Sequence, residues 1–494
     1  MSGTVLTLPL ALPLLAAGLL VLLPVGAGAR RWTAAAVSLA VLGLGSALVA
    51  ATADGTVLHQ AVGGWPPGIS IVFACDMLSA LMVCVSAVLV TVSLAFAAAA
   101  GDDRDPLFTP LALVLSAGVY GAFLTADLFN LFVCVEVMLV PSYALLSMSG
   151  GRRGTAAGRV YTTVSLLAST ILLAGTGLVY GAAGTVNLGE LAGAASRDPA
   201  TAVAAGVVLL ALAAKAAVVP LHGWLPRCYP AAPPSVTVLF SGLLTKVGVY
   251  GIIRVYAVVF DGAGLSPVIM AAALVTMVVG VLGAVGQPGM RGVLCFHMVS
   301  QIGYLLLALA LFTASGLAAG VFFLVQYVLV KAALLTCAAA VESVHGTDRL
   351  DELDRLAHSA PVLAGSFLVA AFSLAGMPPL SGFTAKLALI RAAAQQAEYL
   401  ALGVAAAVGL LTLTSMIKIW STAFWSGSVA PSHTRSARLP LASAPVRPAL
   451  TAPALLLAVP SLALGVLAEP LLAASSTAAA GLVDTSAYVR AVTR

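Results

Sequence analysis

Long hydrophobic runs constrain this chain more than any other feature. They recur from end to end, each about 20 residues long, and a helix of that length spans the ~30 Å hydrocarbon core of a bilayer. In lipid every backbone polar group must be paired internally, so a spanning segment is a helix or part of a closed barrel. With 61% of the 494 residues hydrophobic and only 8% charged, the sequence predicts an all-α integral membrane protein.

The runs predict fourteen transmembrane helices, of which segments 7 and 12 are interrupted by proline and glycine. They cover residues 4–26, 32–53, 70–99, 107–125, 127–149, 158–182, 201–229, 235–260, 265–287, 291–313, 315–343, 361–397, 400–426 and 450–475. No cationic residue precedes the first run, so we expect it to be retained and not cleaved as a signal peptide. The loops are too short for a soluble domain with its own core.

Arginine placement predicts the orientation, because cations in short loops stay on the cytoplasmic side. Loops after even-numbered segments hold little besides Arg197. Loops after odd-numbered segments hold Arg30, Arg31, Arg104, Arg152, Arg153, Arg159, Arg227, Arg291, Arg349, Arg355, Arg435, Arg438 and Arg447. We therefore expect a multi-pass protein of the plasma membrane with both termini on the extracellular side. The net charge of +5 follows from this bias and does not indicate a nucleic-acid partner.

The cysteines do not form a metal or redox motif. All six lie singly in apolar stretches, without CxxC or Cys/His spacing, at Cys75, Cys84, Cys134, Cys228, Cys295 and Cys337. We interpret them as small core residues. The sequence also lacks a phosphate-binding loop, a dinucleotide fingerprint and a nucleophilic triad, so we expect no bound cofactor and no metal site.

The lysines are the most informative residues. The chain has only five, and each lies inside an apolar segment: Lys215, Lys246, Lys331, Lys386 and Lys418. A desolvated ammonium can lose its proton, whereas a guanidinium stays charged at any accessible pH. A charge at bilayer depth costs roughly 2.5 to 3.5 kcal/mol on insertion scales. The pattern therefore indicates proton transfer inside the helix bundle.

Glu136 is an isolated acidic residue in the apolar stretch LFNLFVCVEVMLV at 128–140. We expect it to pair with Lys215, so that a proton moving onto one group changes the proton affinity of the other. Glu136 then acts as a gate on a proton pathway. The alternative is that the pair only fixes the register of two helices.

Two histidines are further candidates. His297, in VLCFHMVSQIGY, suits a proton relay, although it also fits a satisfied core histidine. His222 follows Pro220 at the break in segment 7, and there both interpretations stay open. For Lys331 and Lys418 the alternative is a structural role, with the side chain reaching from near a helix end to the membrane surface.

The helix breaks and the lysine spacing predict an internal duplication. Both breaks lie beside a lysine, and such interruptions in matching halves indicate a transport site. Lys215 and Lys246 are 31 residues apart, and Lys386 and Lys418 are 32 apart. Five helices per unit is an odd number, so the repeats are inverted and form two half-channels. The predicted parts are three N-terminal helices (1–105), a first repeat (106–260), a second repeat (261–428), and a cytoplasmic loop with a final helix (429–494).

The residues also resemble a known family. The Glu in segment 5, the broken segment 7 with its lysine, and PPLSGF-K in segment 12 resemble the antiporter-like subunits of respiratory complex I, membrane hydrogenases and Mrp-type sodium/proton antiporters. DLFNLFVCVEVMLVPSYALLS at 127–147, CDMLSALMV at 75–83 and LCFHMVSQIGYLLLALAL at 294–311 are most similar to the D subunit of Mrp antiporters.

The resemblance implies roles for particular residues. It assigns proton translocation to Glu136, Lys215, Lys246 and Lys386, and a polar position of the tenth helix to His297. Relatives often have His-x-x-x-Lys in the eleventh helix, whereas this chain has Tyr327 four residues before Lys331. Tyrosine is a poor relay at neutral pH.

Three functions follow as hypotheses. The first is a proton-translocating subunit of a multisubunit Na⁺/H⁺ antiporter, with other Mrp-like subunits as partners and the sodium route left open. The second is a proton-pumping subunit of a respiratory NADH dehydrogenase or membrane-bound hydrogenase complex. The third is a membrane scaffold whose buried charges only hold helices together.

Overall fold

The computed structural model describes residues 3–65, 70–148, 150–425 and 446–493. Arg435 and Arg438, used above for the orientation, lie outside the described residues. The described part is almost entirely helical, which confirms the predicted fold class. Its helices are α1 Leu8–Leu22, α2 Ala27–Ala51, α3 Met77–Ala100, α4 Phe108–Leu124, α5 Leu128–Ser147, α6 Gly151–Ala183, α7 Ala194–Arg197, α8 Pro199–Ala216, α9 Trp224–Cys228, α10 Pro234–Val258, α11 Ser266–Val285, α12 Met290–Leu311, α13 Ala314–His345, α14 Leu356–Ser359, α15 Pro361–Ala375, α16 Ser381–Gln395, α17 Tyr399–Ile419, α18 Pro448–Val466, α19 Glu469–Val483 and α20 Ser486–Val492.

Short elements complete the chain trace. Single 3₁₀ turns lie at Gly3–Thr7, Val62–Gly64, Asp102–Arg104, Tyr229–Ala231 and Leu350–Glu352, and a π-helical turn, Trp420–Trp425, continues α17. Two strands, β1 Leu58–Ala61 and β2 Val72–Cys75, pair antiparallel with Leu58 opposite Cys75. This hairpin leads directly into α3.

Twelve helices of the described residues are long and apolar enough to cross a membrane, and two shorter apolar helices, Phe108–Leu124 and Pro361–Ala375, lie where further segments are predicted. Each of the fourteen predicted segments thus coincides with a helix or a helix pair. The number of complete crossings stays a prediction.

The predicted interruptions of segments 7 and 12 are confirmed. Segment 7 divides into α8 and α9, and segment 12 divides into α15 and α16. Each break contains a cis peptide bond before proline, Val219–Pro220 and Pro378–Pro379. The first break begins where Ala217 adopts a left-handed conformation (φ 61°) and the second where Gly376 does (φ 92°), so neither helix can continue in its original direction.

Helices α10, α12 and α13 form the centre of the bundle. The apolar windows of α10 and α13 are completely buried and that of α12 is 94% buried, against 28% for α2. Helix α13 packs against α10, α12, α15, α16, α18 and α19. Polar groups on these central helices are therefore shielded from lipid by the surrounding helices.

Candidate functional site

The break after α8 places Lys215 at the end of a helix inside the bundle. Asp198 caps the start of α8, and hydrogen bonds from the Thr201 side chain and backbone hold the pKa of Asp198 below its ordinary value. At the other end, the Trp224 indole donates to the Ala214 carbonyl at 3.0 Å and ties the two parts of the broken helix together. Lys215 is only 6% exposed.

Glu136 and Lys215 lie near each other without touching. No ion pair within 4.0 Å joins them among the described residues, yet their charges interact electrostatically. Glu136 is half-buried on α5 and accepts a hydrogen bond from the Ser169 hydroxyl of α6. The expected pairing is thus a longer-range interaction and not a direct contact.

Lys246 lies in α10, close to the crossing of α10 with α8. At this crossing Gly248 allows the two backbones to approach, because a Cβ atom there would lie 2.7 Å from the backbone nitrogen of Ala216. Lys246 is fully buried, and its Nζ donates to the Ser241 carbonyl at 2.5 Å. The same Nζ lies 4.3 Å from the centre of the Tyr327 ring, a distance at which an ammonium and an aromatic face attract each other.

Lys331 and His297 form the polar centre of α12 and α13. Lys331 is fully buried, and its Nζ has no hydrogen-bond partner among the described residues. The alternative of a side chain reaching the membrane surface is therefore wrong for Lys331. His297 Nε2 lies 2.5 Å from the Ser415 hydroxyl, while its Nδ1 has no partner in the described part of the protein. An unpaired buried polar group costs roughly 1 to 3 kcal/mol, so these atoms are poorly explained by packing alone.

Lys386 lies at the second break, in the first turns of α16. Its Nζ donates to the last carbonyls of α15, those of Leu374 at 2.8 Å and Ala375 at 3.1 Å. A helix C-terminus carries partial negative charge and stabilises a cation. The Nζ also lies 4.9 Å from the centre of the Tyr304 ring.

Lys418 and His222 are less closely connected to this centre. Lys418 is partly exposed, and its Nζ donates to the carbonyls of Val285 at 2.9 Å and Gln287 at 3.0 Å at the end of α11. This contact favours the structural alternative for Lys418. His222 lies partly exposed in the first break. Proton-transfer roles for both residues remain predictions.

A column of three aromatic rings lies between Lys246 of the first predicted repeat and Lys386 of the second. The Tyr327 and Phe323 rings stack at 6.0 Å, and Phe323 stacks on Tyr304 at 5.4 Å. Lys246 lies on the Tyr327 end and Lys386 on the Tyr304 end. Tyr327, which replaces the histidine expected from relatives, thus supplies an aromatic face to Lys246.

The sequence interpretation missed a buried ion pair. Arg254 of α10 is 2% exposed and forms two hydrogen bonds of 2.8 Å with Asp76, the residue that caps α3. The Tyr250 hydroxyl and Ser79 also contact this guanidinium, and the Tyr488 ring of α20 lies 4.6 Å from it. The signal in the sequence was an arginine inside segment 8, where the other charged residue is a lysine.

The comparisons with known proteins agree with this architecture. The family model described as NADH:quinone oxidoreductase/Mrp antiporter, TM, matches residues 125–413, more than half of the chain. The chain belongs to this family. The matched range begins before α5 and ends within α17, so it contains Glu136, both helix breaks and the central helices.

Individual relatives and solved structures match over nearly the full length of this chain. The D subunit of the Na⁺/H⁺ antiporter of Alkalihalophilus pseudofirmus is 36% identical over 88% of each chain. A chain in the structure of the Mrp complex from Dietzia sp. is 45% identical, with a TM-score of 0.95 over 100% of this chain and 99% of that chain. A chain of the membrane-bound sulfane sulfur reductase, an archaeal respiratory membrane complex, is 26% identical with a TM-score of 0.90 over 99% and 100%.

Proposed function

We propose that this chain is the D-type subunit of a multisubunit Na⁺/H⁺ antiporter and that it conducts the proton. Its partners are then other Mrp-like subunits, in a complex that works as a secondary active transporter in the plasma membrane. The proposal is supported by the named relatives and by the site described above. The arginine-rich loops support the orientation with both termini outside.

The observation that carries the proton role is a row of buried amines. Lys215, Lys246, Lys331 and Lys386 lie inside the bundle, and none is more than 6% exposed. Three sets of groups in the row influence each other electrostatically: Glu136 with Lys215, Lys246 with Lys331, and His297 with both Lys331 and Lys386. A proton bound at one position therefore disfavours protonation of its neighbour, which drives the charge onward.

The predicted duplication fits this row. The first repeat, 106–260, holds Glu136, Lys215 and Lys246, and the second, 261–428, holds His297 and Lys386 at corresponding positions. Each repeat supplies one half-channel that opens to one face of the membrane. Lys331 and His297 lie where the two half-channels join.

Replacing Glu136 by Gln, or Lys215 by Ala, tests the proposal in vesicles that contain the whole complex. We expect sodium-driven proton movement, followed with a pH-sensitive dye, to fall to the level of empty vesicles. The cause is loss of a titratable group from the proposed pathway. Glu190→Gln is the matched control, because Glu190 is exposed and hydrogen-bonded to Thr185.

Assembly is measured in parallel by co-purification of the other subunits. Normal assembly without exchange supports the proton role. Normal assembly with unchanged exchange in both variants would contradict the proton role and support the scaffold function.

A proton-pumping role in a respiratory complex is the second candidate, favoured by the fold shared with the archaeal respiratory complex. The same buried row would serve there. Identity is higher to the Mrp complex chain, 45% against 26%, and we therefore place the antiporter first.

A further inference from the structure

No hydrogen bond connects His297 to Lys386 among the described residues, so the proposed proton pathway is interrupted between them. These residues lie on different helices, α12 and α16, and His297 Nε2 is directed to the Ser415 hydroxyl of α17. Lys386 donates to backbone carbonyls of α15. A proton that moves from one of these side chains to the other therefore needs an intermediate group.

The aromatic column next to this gap cannot relay a proton. Its three rings present carbon faces to each other, and Phe323 has no exchangeable proton. The two phenol groups are committed elsewhere, since Tyr304 donates to the Ala405 carbonyl at 2.6 Å and Tyr327 to the Met298 carbonyl at 3.4 Å. The column separates the two lysines without connecting them.

Gln301 lies on the same face of α12 as His297 and Tyr304. It follows His297 by four residues and precedes Tyr304 by three, spacings that place side chains next to each other on a helix. The Tyr304 ring is the one that Lys386 faces. Gln301 thus lies about one helical turn from both His297 and the Tyr304 ring that Lys386 contacts.

The Gln301 amide is buried and unpaired at both ends. The residue is 0% exposed, and neither its Oε1 nor its Nε2 has a hydrogen-bond partner among the described residues. Further buried atoms without a partner among the described residues lie on the two central helices that pack against each other, α12 and α13, and include His297 Nδ1, Lys331 Nζ and Gln326 Oε1. Buried polar groups of native proteins are paired with protein or with water, and a buried water typically makes about three hydrogen bonds to such groups.

We propose that Gln301 is a positioning residue that holds water molecules between His297 and Lys386 and so completes the proton pathway across the two repeats. The inference rests on the proposed proton role of this chain. An amide suits the task because its oxygen accepts and its nitrogen donates, so it orients water for transfer in either direction. It does not titrate, so it does not retain the proton.

Three variants test this role in vesicles that contain the whole complex. Gln301→Leu keeps the approximate volume and removes both hydrogen-bonding atoms. We expect the exchange rate to fall about tenfold to a hundredfold, the cost of misplacing a reacting group, with normal assembly. Gln301→Asn, which keeps an amide that donates and accepts without titrating, is expected to restore most of the rate. Ser300→Ala is the matched control, because the neighbouring Ser300 hydroxyl donates to Met277 of α11 instead.

The outcomes separate this inference from the proposed function. If Glu136→Gln stops exchange but Gln301→Leu does not, the inference is overturned and the proton role stands. If neither variant affects exchange, the proton role itself fails. A high-resolution cryo-EM map of the complex gives a second readout, in which we expect water density within hydrogen-bond distance of the Gln301 amide. An amide surrounded only by apolar side chains would contradict the proposal even if Gln301→Leu fails to assemble.

Discussion

The buried lysines differ in the partners of their amines, and this difference distinguishes a functional from a structural role. Lys386 has two carbonyl acceptors, and Lys246 has a carbonyl and an aromatic face, whereas Lys331 Nζ has no partner among the described residues. A charge without partners at this depth is costly. Its retention is best explained by a step in proton transfer, for which a weakly held proton is an advantage.

Lys331→Met is expected to stabilise the complex and abolish exchange. The substitution removes a desolvated amine and leaves an apolar side chain of similar length, so we expect a higher melting temperature. Thermal unfolding of the purified complex measures this, and vesicle assays measure exchange. Lys386→Met serves as the control, because it leaves two carbonyls without their donor and should not stabilise. A lower melting temperature for Lys331→Met would indicate a structural role.

At the scale of elements, the sequence predicts helices and helix breaks wherever local composition alone determines them. Proline and glycine predicted both interruptions, and hydropathy predicted where the helices lie, although some ends differ by seven to nine residues, as at the last segment (450–475 against Pro448–Val466). The contacts between side chains were not predictable, because they depend on how each helix is rotated about its axis. The separation of Glu136 from Lys215, and the position of Tyr327 under Lys246, are two such cases. The Asp76–Arg254 pair joins residues far apart in sequence, and the motif around Asp76 gives no sign that Arg254 is its partner.

The Asp76–Arg254 pair ties α3 to α10, and its removal should be costly. Asp76→Leu leaves a buried guanidinium unpaired, for which we expect a loss of about 3 to 5 kcal/mol in stability. The double variant Asp76→Leu with Arg254→Leu should lose less than either single variant. Denaturation of the complex, followed by fluorescence, provides the comparison.

An exposed pair in the same chain is the control for this experiment. Arg349 and Asp351 are 52% and 63% exposed, and Asp351→Ala should cost about 1 kcal/mol or less. Equal losses for Asp76→Leu and Asp351→Ala would show that burial of the first pair contributes nothing.

For the whole molecule, the buried amines constrain where sodium can travel. Each lysine that carries its proton repels a sodium ion, and the repulsion is strong where water is scarce. The row described above therefore suits protons and disfavours metal cations.

We expect sodium binding by the complex to survive the loss of this row. Complexes with Glu136→Gln or Lys386→Met should bind ²²Na⁺ with unchanged affinity while exchange stops. Equilibrium binding to the purified complex measures the affinity. Loss of binding in either variant would place the sodium ion within this chain.

The contact between the Tyr488 ring and the Arg254 guanidinium has a consequence for biogenesis. Asp76 and Arg254 are synthesised before the Tyr488 ring that completes their surroundings, because that ring belongs to α20 near the end of the chain. Until then the guanidinium is only partly enclosed. An interrupted translation product therefore displays an incompletely covered cation within the bilayer, which distinguishes it from the finished protein.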